Sequence, residues 1–219
     1  MPANLIYEQS TNFVQSSTYY NFMLKIERKE PTYADLINFQ VKKGCNKKEI
    51  CAGSMPPATL NKLLPYLKGQ GLQIGGFVGI THCFLAIKLK TRATIWTVDP
   101  NLPHRGINRP FELAYNMASH YQLLRNSVFI TNYANEQISI FQESGMLFDF
   151  IILDGNHDEK QVRNEVEECK KILKIGGYLI LDDIDFWQGP KKVYNTVDNK
   201  QFEKIPLTNR AGLLKKLEG

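Results

Sequence analysis

The sequence predicts an α/β fold: a Rossmann-like, doubly wound and mostly parallel sheet of strand order 3-2-1-4-5, with an antiparallel pair at one edge. Three observations predict it. From Gly71 onward, short apolar runs alternate with helical patterns, as in strands joined by crossover helices. The run 148–153 is apolar except for Asp149, which suits a strand covered on both faces. Near the end, residues 207–211 separate two strand-like runs and are too few for a crossover helix, which indicates antiparallel pairing.

The alternating pattern gives the individual elements in order. Strands are predicted over residues 72–74, 93–98, 127–131, 148–153 and 178–181, with the edge pair over 202–206 and 212–217. Helices are predicted over residues 81–90, 110–124, 136–143 and 191–197, with a further one from Asp158 up to Gly176-Gly177. Asp158 with Gln161 three residues later resembles a capping box at the start of that helix.

The part before the alternating pattern is polar, aromatic and mostly helical. A helix over residues 59–67 is predicted, because its leucines recur on one face. Residues 1–68 are therefore predicted to form a helical cap that contributes to the substrate region, and residues 69–219 to form the main domain.

Composition excludes several classes of protein. With 43% hydrophobic and 22% charged residues, the chain is neither fibrous nor disordered in character. It has no apolar run of membrane-spanning length and no basic, then apolar, secretory leader, so a cytoplasmic protein is predicted. The formal net charge of +5 is spread over lysine pairs rather than runs, which favours a solvated surface and argues against a nucleic-acid partner, with polyanion binding as the alternative.

The four cysteines do not form a zinc motif. Cys45, Cys51, Cys83 and Cys169 contain no C-x-x-C pair, and no histidine cluster completes a site. Reduced thiols are the simpler interpretation; a Cys45–Cys51 disulfide is the other.

A glycine-rich turn follows the first predicted strand, where ligands bind in open α/β sheets. Gly75, Gly76 and Gly79 let the backbone approach a ligand, and Asp99 ends the second strand 24 residues after Gly75. A carboxylate there can accept both ribose hydroxyls of a nucleoside. Phe77 stands where the dinucleotide fingerprint needs its second glycine, so a nucleoside without an obligatory pyrophosphate fits better; a tight turn with no ligand is the alternative.

Acids end two strands that should be neighbours in the sheet. Asp154 follows the fourth strand, and Asp182 and Asp183 follow the fifth. Close carboxylates repel one another unless a cation is present, and ligand sets made only of oxygen suit Mg²⁺. Such an ion would lower the pKa of a bound hydroxyl, whose proton His157 could accept. The alternative is structural: the acids cap a turn and a helix, and His157 is solvated.

These segments resemble the class I S-adenosylmethionine-dependent methyltransferases, and more closely the metal-dependent small-molecule O-methyltransferases of the catechol and antibiotic-tailoring types. The likeness covers residues 50–219. Residues 73–81 resemble the first motif, residues 148–157 the Asp-Gly-x-His segment after the fourth strand, and residues 173–183 the Leu-x-Pro-Gly-Gly run into the metal-binding acids.

The resemblance implies roles for particular residues. S-adenosylmethionine would be held by Gln73, Gly75, Gly76, Gly79, Thr81, Asp99, Tyr133 and Asp154. Mg²⁺ would be held by Asp154, Asp182 and Asp183, with Asp154 and His157 as the catalytic residues. His157 stands where the catechol enzymes carry a catalytic lysine. Gln73 replaces the usual acid of the first motif, and Asn132-Tyr133-Ala134 departs from the family pattern, so the adenine contact is undefined.

The predicted function is methyl transfer to a small-molecule acceptor. A nucleotide-binding oxidoreductase or sugar-modifying enzyme, an RNA methyltransferase and a non-catalytic binding protein remain as alternatives. Residues 1–60 and 100–109 are expected to shape the acceptor pocket. His104 and Arg105 would meet an anionic acceptor, or else are ordinary exposed loop residues. A homo-oligomer is compatible with the sequence.

Overall fold

The computed structural model describes residues 29–218, and the compact unit that begins at Pro31 carries the fold. The strands of this part are β1 (Gly69–Ile74), β2 (Ala93–Asp99), β3 (Ser127–Thr131), β4 (Phe148–Leu153), β5 (Leu173–Leu181), β6 (Phe202–Ile205) and β7 (Gly212–Lys216). Its α-helices are α1 (Tyr33–Lys42), α2 (Lys47–Ala52), α3 (Pro57–Leu63), α4 (Ile80–Leu89), α5 (Pro110–His120), α6 (Ala134–Glu143), α7 (Glu159–Ile172) and α8 (Gln188–Thr196).

The strands form one sheet of order β3-β2-β1-β4-β5-β7-β6. Strands β1 to β5 pair in parallel, whereas β7 is antiparallel to both β5 and β6. The predicted order and the antiparallel edge pair are confirmed. Strand β7 lies between β5 and β6 in the sheet, so the loop between β6 and β7 reaches the carboxyl end of β5.

Helices cover both faces of the sheet, and each face has its own core. On one face, α1, α3, α4 and α5 bury residues such as Leu36, Leu60 and Leu85. On the other, α6, α7 and α8 bury residues such as Phe141, Val166 and Val193. Burial on both sides explains why β4 is almost wholly apolar: Asp149 lies at its amino end, where it accepts hydrogen bonds from Gln70 and Lys174.

The N-terminal helices pack into the same core as the sheet. Leu36 of α1 and Leu60 of α3 belong to one buried cluster with Val78 and Ile95 of the main domain. The helix predicted over residues 59–67 is α3 followed by a 3₁₀ turn at Leu64–Tyr66. The cap over residues 1–68 stays a prediction as a unit, because residues 1–28 lie outside the described residues.

Two predicted helix ends were wrong. The helix predicted to reach residue 124 ends at His120, and Gln122 takes a left-handed conformation just beyond it. The helix predicted to reach Gly176-Gly177 ends at Ile172, because both glycines lie within β5 beside an irregular stretch of its pairing with β4. A side chain at Gly177 would collide with the backbone oxygens of Asp149 in β4 and Lys174 in β5, which explains the glycine.

The start of α7 differs from the predicted capping box in one partner. The Asp158 side chain accepts a hydrogen bond from the Gln161 backbone N–H, as expected of an N-cap. The reciprocal bond is absent: the Gln161 side chain donates to Glu165, and the Asp158 N–H donates to the Asn156 side chain.

The four cysteines are free thiols, so the alternative Cys45–Cys51 disulfide is not formed. None of the helices within residues 29–218 combines the length and hydrophobicity that a membrane crossing needs.

Candidate active site

A cavity of about 1130 Å³ lies at the carboxyl ends of the parallel strands. Its wall includes Ile74 at the end of β1, Asp99 at the end of β2, Asp154 after β4 and Asp183 after β5. The parallel order places these four ends at the same rim, although they are far apart in the sequence.

The glycine turn fixes Asp99 at this rim. Gly75 and Gly79 have φ values of +87° and +81°, and side chains there would collide with Asp154 and Ala114. The N–H groups of Gly76 and Phe77 donate to Asp99 Oδ2 at 2.8 and 3.0 Å. A third N–H, of Asn101, donates to Asp99 Oδ1 at 2.7 Å. An ionised carboxylate has about four acceptor positions, so Asp99 keeps capacity for a ribose hydroxyl.

The eight residues predicted to hold a cofactor fall into two groups. Gly75, Asp99, Tyr133 and Asp154 line the cavity. The other four do not line it: Gln73, Gly76, Gly79 and Thr81.

Two of those supporting residues have identifiable partners. The buried Gln73 donates from Nε2 to the Gly75 carbonyl oxygen at 2.8 Å, which braces the turn from below. The Thr81 hydroxyl accepts from the Met55 N–H at 3.2 Å and so ties α4 to the segment before α3. Neither side chain reaches the cavity, because both are directed into the protein.

Three side chains gather at the end of β4 and β5. One potential ligand atom from each of Asp154, His157 and Asp183 lies within 4.8 Å of the other two. Nε2 of His157 is 3.2 Å from Asp183 Oδ2 and has no well-directed hydrogen bond of its own. The His157 ring stacks on Trp187, with centroids 5.2 Å apart and an interplanar angle of 17°.

Asp182, the third predicted metal ligand, is engaged elsewhere. Its buried carboxylate accepts two hydrogen bonds from Arg210, from Nε and Nη2, both at 2.9 Å. The group of three possible ligands therefore contains His157 in the place predicted for Asp182. The physical reason is that adjacent residues at a strand end point in different directions, and Asp182 turns toward the loop between β6 and β7.

The electrostatics of this group favour a cation. Burial raises the pKa of Asp154 well above its ordinary value, and the Asp182 and Asp183 carboxylates raise it further. Burial alone would lower the pKa of Arg210, but the hydrogen-bonded Asp182 and the charge of Asp183 outweigh it and raise that pKa. When all three carboxylates are ionised, the single arginine leaves excess negative charge, which a divalent ion with oxygen ligands would compensate.

The loop over residues 100–109 covers the glycine turn from outside. The His104 ring packs edge-on against Phe77 at 5.3 Å, and burial together with Arg105 lowers the His104 pKa. Arg105 Nη1 pairs with Glu49 Oε2 of α2 at 2.9 Å. The Arg105 charge, one of two that could have met an anionic acceptor, is therefore paired with Glu49. The ion pair also ties the loop to the N-terminal helices.

Sequence reasoning did not assign a role to three residues of this wall. Phe77 was read only as the residue that excludes a dinucleotide turn, and Trp187 follows the acidic run without a motif of its own. Arg210 had no signal at all, since the sequence does not show that β7 lies beside β5.

The fold and the rim of strand-end residues define a Rossmann-like protein of the methyltransferase type. Residues 72–184 match the family described as methyltransferase domain, which is more than half of the chain, so the chain belongs to that family. No curated protein matches the sequence significantly.

Solved structures with the same fold include three methyltransferases. An O-methyltransferase from Bacillus cereus in complex with SAH has a TM-score of 0.67 at 13% identity, over 92% of this chain and 97% of that one. An O-methyltransferase from Streptomyces achromogenes, involved in tomaymycin synthesis and bound to SAM, has a TM-score of 0.61 at 13% identity, over 97% and 100%. An SAH-bound methyltransferase from Podospora anserina has a TM-score of 0.62 at 11% identity, over 99% and 100%.

Proposed function

We propose that the protein transfers the methyl group of S-adenosylmethionine to a hydroxyl oxygen of a small molecule, with help from a divalent cation. The observation that carries this proposal is that Asp99, beside the glycine turn, and the group Asp154, His157 and Asp183 line one continuous cavity. Donor and acceptor can therefore meet without leaving the protein.

The donor is proposed to lie along the glycine turn. Asp99 would accept ribose hydroxyls, Gly75 allows close approach to the backbone, and Tyr133 also lines the cavity. Bound S-adenosylmethionine supplies an electrophilic methyl group, so the protein's main tasks are orientation and proton removal. The SAM and SAH in similar structures support this choice of donor.

The cation is proposed to lie between Asp154 and Asp183. Mg²⁺, as predicted, binds through one or two carboxylates and keeps positions for water and substrate oxygens. When bound, it lowers the pKa of a coordinated hydroxyl. The raised pKa of Asp154 supports the site, since an uncompensated carboxylate is costly there.

His157 is proposed to take the acceptor's proton. Trp187 holds the ring by stacking, and Asp183 lies 3.2 Å from Nε2 on the cation side. As the carbon–sulfur bond breaks and the carbon–oxygen bond forms, the hydroxyl proton passes to the imidazole. The products are a methyl ether and S-adenosylhomocysteine.

The nature of the acceptor rests on the protein's charge and shape. Scattered lysines support a small molecule over RNA, and the loop over residues 100–109, which lines the cavity, would contribute to the acceptor pocket. A homo-oligomer and a cytoplasmic location stay predictions; the free thiols agree with a reducing compartment.

Calorimetry with S-adenosylhomocysteine and with NAD tests the donor. The wild-type protein should bind S-adenosylhomocysteine and not NAD, and Asp99→Ala should weaken that binding by at least about tenfold, the loss expected for charge-assisted hydrogen bonds of about 1.5–3 kcal/mol. Asp198→Ala, at an exposed position outside the cavity, is the control. Binding of NAD in preference would favour the oxidoreductase alternative for the site.

A further inference from the structure

Arg210 is anchored where it can act on the acidic group. It lies in the loop between β6 and β7, and β7 pairs with β5 so that Gly212 is opposite Leu181. The Arg210 carbonyl oxygen accepts a hydrogen bond from the Ile184 N–H at 2.8 Å, just after the acids. Its backbone is thus fixed on the same strand end that carries Asp182 and Asp183.

The guanidinium group of Arg210 contacts both neighbouring acids, Asp182 through two hydrogen bonds and Asp183 through one of its oxygens. Nε and Nη2 each donate to one oxygen of Asp182 at 2.9 Å, and Nη2 also lies 3.0 Å from Asp183 Oδ1. The Asp182 side chain is 0% exposed, whereas that of Asp183 is 12% exposed. Both Asp182 oxygens are occupied by a bidentate pair, and the second oxygen of Asp183 is left toward His157.

The net charge of the three acids and Arg210 indicates what else the site can bind. Asp154, Asp182 and Asp183 would together carry three negative charges beside one Arg210 positive charge when ionised. The remaining excess matches a divalent cation. Asp182 already neighbours Asp154, so without the guanidinium the group would lose its one positive charge and both Asp182 oxygens would be free to act as ligands.

We propose that Arg210 is a positioning residue that keeps both oxygens of Asp182 from the cation and leaves Asp154 and Asp183 to bind it. This inference rests on the proposed function, because it assigns the ligands of the proposed cation site. It gives Arg210 a specific effect on metal affinity, beyond fastening the loop between β6 and β7 to the sheet.

Mn²⁺ binding in the absence of any methyl donor tests it, measured by electron paramagnetic resonance on the full chain. Arg210→Gln should bind Mn²⁺ at least about tenfold more tightly than wild type, because affinity rises with the number of charged ligands. The double variant Arg210→Gln/Asp182→Asn has the same net charge in the group as wild type and should return to within about threefold of it. Arg163→Gln, which removes an exposed ion pair with Glu159, is the matched control and should not change Mn²⁺ binding.

An effect of Arg210→Gln on folding must be distinguished from its effect on the position of Asp182. If circular dichroism shows that Arg210→Gln is unfolded, Arg210→Lys decides instead, because lysine keeps the charge but lacks the planar fork. It should bind Mn²⁺ about threefold more tightly than wild type, and binding equal to wild type would reject the positioning role.

The remaining outcomes distinguish this inference from the proposed function. Folded Arg210→Gln with unchanged or weaker Mn²⁺ binding would overturn the role of Arg210 while leaving the cation site intact. If neither wild type nor Arg210→Gln bound Mn²⁺, both the cation and the positioning role would be rejected. S-adenosylhomocysteine binding, measured separately, would still support the methyl donor.

Discussion

Asp154 is a buried acid whose charge is only partly compensated. Burial and two nearby carboxylates raise its pKa, while Arg210 only partly opposes them. Because the pKa of Asp154 is higher in the folded than in the unfolded state, the contribution of Asp154 to stability is fully present at low pH. It is lost as the pH rises through the folded-state pKa.

Asp154→Asn should therefore raise the melting temperature in EDTA at neutral to alkaline pH, since the amide has no charge to bury. The same change should abolish stabilisation by Mg²⁺. Differential scanning calorimetry with and without Mg²⁺ checks both, with Asp198→Asn as the exposed control. A variant that melts below wild type in EDTA would show that the Asp154 charge is compensated after all.

His82 has the opposite effect on the pH dependence of stability. It is fully buried in α4, its Nδ1 is 2.7 Å from the Thr97 hydroxyl, and burial lowers its pKa to about 3. The unfolded chain takes up a proton near pH 6.5, so stability is present above that pH and falls as the pH drops toward the folded-state value.

Wild type should lose about 2 kcal/mol more stability than His82→Gln between about pH 7 and pH 5, because each pH unit below the unfolded-state pKa costs about 1.4 kcal/mol. Urea unfolding at the two pH values gives the comparison, and each protein is its own reference at pH 7. Equal losses in the two proteins would mean that His82 is not held neutral.

Among the elements, β1 and β4 depend on one complementary pair. Gly71 of β1 lies opposite Phe150 of β4, and a side chain at Gly71 would overlap the buried Phe150 ring. The missing side chain on one strand makes room for the large one on the next. These two strands carry the glycine turn and Asp154, so their spacing positions the cavity.

Gly71→Ala should destabilise the protein by about 1–3 kcal/mol through overpacking. Phe150→Leu should cost less in that background than in wild type, because the smaller side chain relieves the overlap. Denaturant unfolding of the four proteins measures the non-additivity. Strictly additive changes would show that the two positions do not share this space.

The elements were largely predictable because their signals are local. Apolar runs, the glycine turn and the amphipathic pattern of α7 predicted the strands and helices, and the short connection predicted the antiparallel edge. The ends of α5 and α7 were not predictable, because a left-handed residue at Gln122 and the extension of β5 through Gly177 depend on neighbouring strands.

At the scale of the whole molecule, we expect binding of the proposed ligands to increase the stability of the folded state. A ligand that binds only the folded state stabilises it by about 2.7 kcal/mol at a concentration of 100 times its Kd. The proposed donor and cation sites line one cavity formed by several strand ends, so their occupation should stabilise the whole sheet.

S-adenosylhomocysteine at that excess should raise the melting temperature by about 5–10 °C for a chain of this size. NAD at the same concentration should have no effect, and Asp99→Ala should lose most of the shift. Thermal unfolding monitored by circular dichroism measures these shifts in melting temperature. An equal shift with NAD would contradict the assignment of the nucleoside site.

The amino-acid sequence is enough to predict the alternation of strands and helices, the strand order and the placement of Asp99, Asp154, Asp182 and Asp183 at one rim. These follow from periodicity and from the rule that parallel strands end on the same side. The direction of each side chain does not follow, because it depends on contacts between residues far apart in the chain. Thus Gln73 and Thr81 point away from the cavity, and Asp182 pairs with Arg210, a residue that β7 brings to the end of β5.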